Sequence, residues 1–152
     1  MSSEADDLIY IKSKQYQEGV TLITPSGDRQ LCISRLEEYI IKQTYNGPLQ
    51  WIVVDDGVDP TVVAKSQLYI RRGNCSDKAK SLTGNILVAI RQVIYNKILI
   101  IEDDDYYAPQ YIERMIHRLA SFELVGEGYG RYYNVKFRMY RVNSNSNHAS
   151  LC

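Results

Sequence analysis

The chain has 152 residues, the length of one domain, with 45% hydrophobic and 24% charged residues, a composition that excludes a mainly disordered, collagenous or membrane-embedded protein. Lys plus Arg equal Asp plus Glu at 18 each, so no whole-chain field draws it to nucleic acid or to an acidic membrane, and any phosphate binding must come from a local patch. Cys32, Cys75 and Cys152 are odd in number and contain no C-x-x-C pair, which argues for a reducing compartment over a disulfide framework or a zinc site.

Residues 1 to about 18 are polar without a sustained period and read as a loose lead-in to a single domain over 19–152. They lack the apolar core of a signal peptide. Val20-Thr21-Leu22-Ile23-Thr24 is a short β-rich run stopped by Pro25-Ser26-Gly27, the pattern of a strand buried on both faces. Asp28 can cap a following helix whose apolar positions are Leu31, Cys32, Leu36, Tyr39 and Ile40, and Asn46-Gly47-Pro48 ends it. Trp51-Ile52-Val53-Val54 is a second buried strand that stops at Asp55-Asp56-Gly57. Gln67 to Ile70 is a third, weaker one.

A helix is predicted from about Ser81 to Asn96, with Leu82, Ile86, Ile90, Val93 and Ile94 on one face. Ile98-Leu99-Ile100-Ile101 is the clearest strand and runs directly into Glu102-Asp103-Asp104-Asp105. The apolar stretch from Ile86 to Ile101 is broken by Arg91 and Lys97 and is too short to span a bilayer. A soluble, cytoplasmic protein with no transmembrane segment is expected. Pro109 opens a last helix with Ile112, Met115, Ile116 and Leu119 as its stripe. From Tyr133 to Met139 the residues alternate with a period of two, which predicts an antiparallel strand with one exposed face. An unpaired edge there would make a homodimer possible.

Alternating strands and helices predict a three-layer α/β domain with a mostly parallel sheet and an antiparallel C-terminal strand. Ligands of such sheets bind beyond the carboxyl ends of the strands. Three polar clusters fall there: Pro25 to Arg29, Asp55-Asp56-Gly57, and Asp103-Asp104-Asp105. Carboxylates converging on one edge repel one another unless a cation lies between them, and oxygen-only ligands suit magnesium or manganese. Between Arg71 and Lys97 stand six basic residues against one acid, Asp77. A basic loop opposite an acidic strand end is what a metal–diphosphate ligand would need.

Val20 to Pro25 with Gly27-Asp28-Arg29, then Trp51 to Gly57, then Ile100 to Tyr107 together resemble the nucleotide-sugar-binding half of a family-2-type glycosyltransferase of the GT-A fold. The resemblance covers residues 20 to 108 and rests on the order and separation of three motifs. It implies a Rossmann-like GT-A nucleotide-binding fold and transfer of a sugar, with inversion, from a nucleoside diphosphate donor, typically UDP-linked, to an unknown acceptor. Thr24, Pro25 and Arg29 would line the nucleotide pocket. Asp55 or Asp56 would accept a hydrogen bond from the base. Lys80 and Asn85 would approach ribose or phosphate. Asp103 and Asp105 would form the D-x-D pair that holds Mn2+ or Mg2+, with Asp104 beside them on the donor. Glu127, in the Gly-rich segment after the last helix, would be the catalytic base.

Relatives of this kind place the base well after the D-x-D, and few acids follow Asp105 here, namely Glu113, Glu123 and Glu127. A catalytically incomplete nucleotide-sugar-binding module is therefore the first alternative. A phosphorelay receiver domain, which also carries an acid pair at one strand end and an aspartate at a later one, is the second.

Overall fold

A computed structural model of the chain describes residues 14–66, 68–73, 81–127, 130–134, 137–143 and 150–151. Its centre is a four-stranded parallel sheet in the order β3-β2-β1-β4, made by β1 (Gln17–Ser26), β2 (Leu49–Asp55), β3 (Leu68–Arg71) and β4 (Tyr95–Ile100). Among the described residues, three helices flank it: α1 (Gln30–Ile41), α2 (Ser81–Ile90) and α3 (Tyr111–Leu119). Both faces of β1 and β2 are covered and mainly apolar, with the buried Thr21 hydroxyl donating to Gln50 Oε1 at 2.8 Å. Val20, Leu22, Trp51 and Val53 pack with Ile33 and Leu36 of α1 and Ile112 and Met115 of α3. Ile23, Ile52 and Val54 pack on the opposite side with Ala89 of α2.

The helices divide between the faces for a topological reason. β1 to β2 runs one way across the sheet and β3 to β4 runs the other way, past β1. Right-handed crossovers in opposite directions place their helices on opposite faces. The layers are therefore α1 with α3, the sheet, and α2. Strand order reverses between β1 and β4, the position at which Rossmann-like sheets open a ligand crevice. A receiver has the order 2-1-3-4-5, in which β3 pairs with β1. Here β3 pairs with β2 and β4 with β1, so the receiver alternative fails.

Several boundaries differ from the expected ones. β1 begins at Gln17, inside the supposed lead-in, because Gln17 and Glu18 are tied to β4: Gln17 pairs with Tyr95 and Glu18 bonds Lys97 at 2.8 Å. α1 buries Ile33 and Leu36, while Leu31 is exposed. Asp28 does not cap α1. It sits at φ 55°, and its carboxylate instead accepts the N–H groups of Val58 (2.7 Å) and Asp59 (3.1 Å) from the loop after β2.

α2 ends at Ile90, short of Asn96, and β4 starts at Tyr95. The buried Gln50 amide sets this turn, accepting the Ile94 N–H at 3.2 Å and donating to the Gln92 carbonyl at 3.0 Å. Leu82 and Ile94, assigned to the helix's apolar face, are substantially exposed.

The alternating segment from Tyr133 to Met139 is two strands, not one. β6 (Gly130–Asn134) pairs antiparallel with β7 (Met139–Asn143), Asn134 opposite Met139, with a turn at Phe137 and Arg138. Arg138 adopts φ 49° there, a left-handed position that Gly or Asn more often fills. β5 (Gly126–Glu127) pairs with β8 (Ser150–Leu151) in a further antiparallel ladder. Both ladders are separate from the four-stranded sheet. Cys75, Cys152 and His148 lie outside the described residues. Among those described, no helix is long and apolar enough to cross a membrane.

Candidate functional site

A cleft of about 370 Å³ opens at the carboxyl ends of β1, β2 and β4, lined by the turn from Pro25 to Arg29, by Asp56 and Gly57, by Ser81, Leu82 and Asn85 of α2, and by Glu102 and Asp103. All three polar clusters expected at strand ends thus reach one crevice, at the point where strand order reverses. Of the residues singled out in the sequence, Pro25, Arg29, Asp56, Asn85 and Asp103 line it.

At the end of β2 the strand pleat decides which of the two acids faces it. Trp51, Val53 and Asp55 point to the α1–α3 side of the sheet, and Ile52, Val54 and Asp56 to the α2 side, where the cleft lies. Asp55 is fully buried and its carboxylate is saturated. Oδ1 accepts the Gly57 N–H (2.8 Å) and lies 3.0 Å from the Arg71 guanidinium, while Oδ2 accepts the Thr61 N–H (2.8 Å) and the Tyr69 hydroxyl (2.6 Å). Burial alone would raise its pKa, but the bonds from Tyr69, Gly57 and Thr61 outweigh it and hold the carboxyl below its ordinary range. Asp55 therefore organises the loop after β2 and has no oxygen left for a ligand. Asp56, in contrast, lines the cleft.

That loop is clamped by side chains along its length. Besides Asp28 and Asp55, Gln30 of α1 accepts the Val62 N–H (2.7 Å) and donates to the Val62 carbonyl (3.0 Å). Glu37 accepts the N–H groups of Ala64 (2.6 Å) and Lys65 (2.9 Å). Arg71 donates to the carbonyls of Gly57 and Val58. Gly57 is required by close approach: a Cβ there would stand 2.4 Å from the Asp28 nitrogen.

The third acidic run behaves differently. Asp103 is buried, accepting the Ser26 hydroxyl at 2.7 Å and an Arg29 N–H at 2.9 Å. Arg29 also reaches Asp104 at 2.9 Å. The cation between converging acids is here, in the first instance, a protein guanidinium. Burial raises the Asp103 pKa, and the Ser26 and Arg29 bonds oppose that rise. Asp105 makes no hydrogen bond or ion pair among the described residues; although the side chain is exposed, partial desolvation by the protein around its carboxyl, followed by the Asp104 charge, pushes it up. Glu102 is pushed up too, by burial and then by the charges of Asp105, Asp104 and Asp103.

Glu102 is one cleft residue that the sequence reading missed. The D-x-D spacing drew attention to Asp103 and Asp105, but Leu99 and Ile101 point to the α1–α3 side, so Glu102 follows Ile98 and Ile100 toward α2 and the cleft. That alternation was visible in the sequence once the faces of β4 were known. Ser81 was missed as well, because nothing marks a first-turn serine as facing a strand end.

Comparison of the sequence with protein-family models and with curated proteins finds no match.

The remaining singled-out residues lie apart from the cleft wall or outside the described residues. Thr24 is buried under the sheet end, where its hydroxyl accepts the Trp51 indole N–H at 3.0 Å. Asp104 and Asp105 are exposed just beyond the lining residues. Glu127 lies on β5 facing α3, with its carboxylate 3.5 Å from Arg114 and 3.8 Å from Arg118, and it does not line the cleft. Lys80 falls outside the described residues.

Asn85 adds an unusual feature: it is buried, lines the cleft, and its Oδ1 has no hydrogen-bond partner among the described residues. Buried acceptors of this kind are rare in folded proteins and are expected to be met by a ligand or ordered water. No group of three or more His, Cys, Asp or Glu among the described residues is placed to hold a metal by protein ligands alone. A magnesium-type ion completed by diphosphate oxygens needs only one or two carboxylates. The unpaired Asp105 and the crowded Glu102 fit that requirement.

Proposed function

We propose that this domain binds a nucleoside diphosphate sugar and serves as the donor-binding domain of a metal-dependent glycosyltransferase of GT-A type. The observation that carries the reading is convergence: the three motifs that resemble a family-2-type glycosyltransferase meet in one cleft at the switch point of a parallel sheet. Asp56 would accept an N–H of the base, with uracil the expected partner. Arg29 would hold Asp103 and Asp104 in place beside the diphosphate. Asp105 with Glu102 or Asp103 would hold Mn2+ or Mg2+. Such an ion, when bound, neutralises charge on a departing diphosphate.

A second reading, a nucleotide-sugar-binding module without its own catalytic base, is favoured by the position of Glu127, which is engaged by Arg114 and Arg118 away from the cleft. The two readings share the donor site and differ in turnover.

Calorimetry with uridine diphosphate, with and without manganese, on the wild type and on Asp105→Ala tests the shared part. Metal-dependent binding is expected, weakened about tenfold or more in the variant, the size of losing a charge-assisted contact. Absence of both nucleotide and metal binding in the wild type would overturn the donor-site reading. Hydrolysis or transfer from a UDP-sugar panel then separates the enzyme from the module.

A further inference from the structure

Asp56 is held by an arrangement that neither its own motif nor the fold explains. Its Oδ2 accepts the Ser81 hydroxyl at 2.6 Å and lies 3.5 Å from the Arg72 guanidinium. Its Oδ1 has no hydrogen-bond partner among the described residues and sits against Gly27, where a Cβ would approach it to 3.0 Å. The Arg72 backbone is pinned to the same strand end, its N–H donating to the Asp55 carbonyl at 2.9 Å. The Arg72 side chain then crosses the face of α2 at Gly84. A Cβ on Gly84 would stand 1.6 Å from Arg72 Nη1 and 2.6 Å from Cζ, so the guanidinium occupies the space that any other residue at that position would fill. Glycine inside a helix is unfavourable relative to alanine, and here its missing side chain is the seat of an arginine.

We infer that Gly84 and Arg72 are a matched positioning pair that fixes one oxygen of Asp56 and presents the other to the cleft as an acceptor for a ring N–H of the ligand's base. The inference rests on the donor-site reading above and identifies what makes that reading selective. A carboxylate with one oxygen tied to Arg72 and Ser81 offers a single, oriented acceptor. Uracil carries a hydrogen on N3 to meet it, and cytosine carries none. Arg72 and Gly84 touch no ligand atom in this scheme. They act through Asp56.

The test compares uridine and cytidine diphosphate affinities for the wild type, Gly84→Ala, Arg72→Met and the double variant, in the presence of manganese. The wild type is expected to prefer the uridine nucleotide, and each single variant to lose that preference by about tenfold, the scale of one oriented charged hydrogen bond. The double variant should be no worse than either single one, because both changes remove the same contact. Gly84→Ala should at the same time unfold at an equal or higher temperature, since alanine favours the helix. A merely structural glycine would not combine unchanged or raised stability with lost selectivity.

Wild-type selectivity retained in Gly84→Ala, or losses that add in the double variant, would overturn the pairing. A parallel urea-denaturation cycle on Asp56→Asn and Arg72→Met, run with and without the Gly84→Ala substitution, decides the seating without any ligand. A coupling of at least about twofold in the folding equilibrium constant is expected with the native glycine and none with alanine in its place. Equal coupling in both backgrounds would sink the seating. Failure of the wild type to bind any nucleotide would instead sink the donor-site reading and with it the selectivity claim.

Discussion

The strand end at Asp55–Asp56 and the strand end at Glu102–Asp105 present the same functional group to neighbouring parts of one crevice, but the fold treats them in opposite ways. Asp55 gathers two backbone N–H groups, a tyrosine hydroxyl and a guanidinium, and its carboxyl is held low. Glu102, Asp103 and Asp105 are all held high, by burial and by crowding among like charges, with Arg29 as the cation that meets Asp103 and Asp104. The first acidic run builds structure. The second carries more negative charge than Arg29 neutralises.

The largest effect that would sharpen this contrast is on Asp55. Asp55→Ala leaves Arg71, Tyr69 and two N–H groups without their acceptor and should lower unfolding stability by about 3–5 kcal/mol in urea titration at pH 7, the cost of breaking a buried charged pair. The pH sign follows from its lowered carboxyl: the stabilisation is present above the unfolded aspartate pKa and is lost as pH falls through the folded one. The difference between wild type and variant should therefore shrink in acid. A loss that is small at neutral pH, or constant down to acid, would show that Asp55 does not organise the loop.

Gly57→Ala comes next. Its Cβ would meet the Asp28 backbone at 2.4 Å, a clash with main chain that no flexible side chain can relieve. A loss of about 1–3 kcal/mol is expected, as for other overpacked sites, together with faster hydrogen exchange at the Val58 and Asp59 amides that Asp28 holds.

The smallest effect has the opposite sign. Glu102→Gln removes one of the crowded charges and should stabilise the metal-free protein at pH 7, by less than about 1 kcal/mol. The side chain is exposed to solvent and its charge is screened, even though the surrounding protein partly desolvates the carboxyl. A raised carboxyl contributes stability that is complete below the unfolded pKa and lost as pH rises through the folded value, so the variant's advantage should appear at neutral pH and vanish in acid. Destabilisation by Glu102→Gln in chelator-treated protein would break the comparison, since both strand ends would then be structural.

Much of this was legible in the sequence. The β-rich, mainly apolar runs Val20–Ile23, Trp51–Val54 and Ile98–Ile101 pointed to strands covered on both faces, and with helical stripes between them they pointed to a layered parallel sheet. The stripe Ile112, Met115, Ile116 and Leu119 is the packed face of α3. The acidic and glycine-bearing segments had to fall at the strands' carboxyl ends, where each hydrophobic run stops. Helix boundaries were less legible where a long-range contact ends the element: Gln50, far from α2 in the chain, sets the turn after Ile90.

What the sequence alone determined was the alternation of elements and the set of polar clusters at strand ends, because hydrophobic periodicity and chain-breaking residues are local properties. The tertiary structure decided which carboxylate of each cluster meets the cleft. Asp55 and Asp56 differ by one residue, and that single step of the pleat sends one under the loop to Tyr69 and Arg71 and the other to Ser81 and Arg72. The same step separates Glu102 in the cleft from Ile101 in the core. A period of two records that neighbours part company. Which of them reaches the cleft depends on the face to which α2 returns.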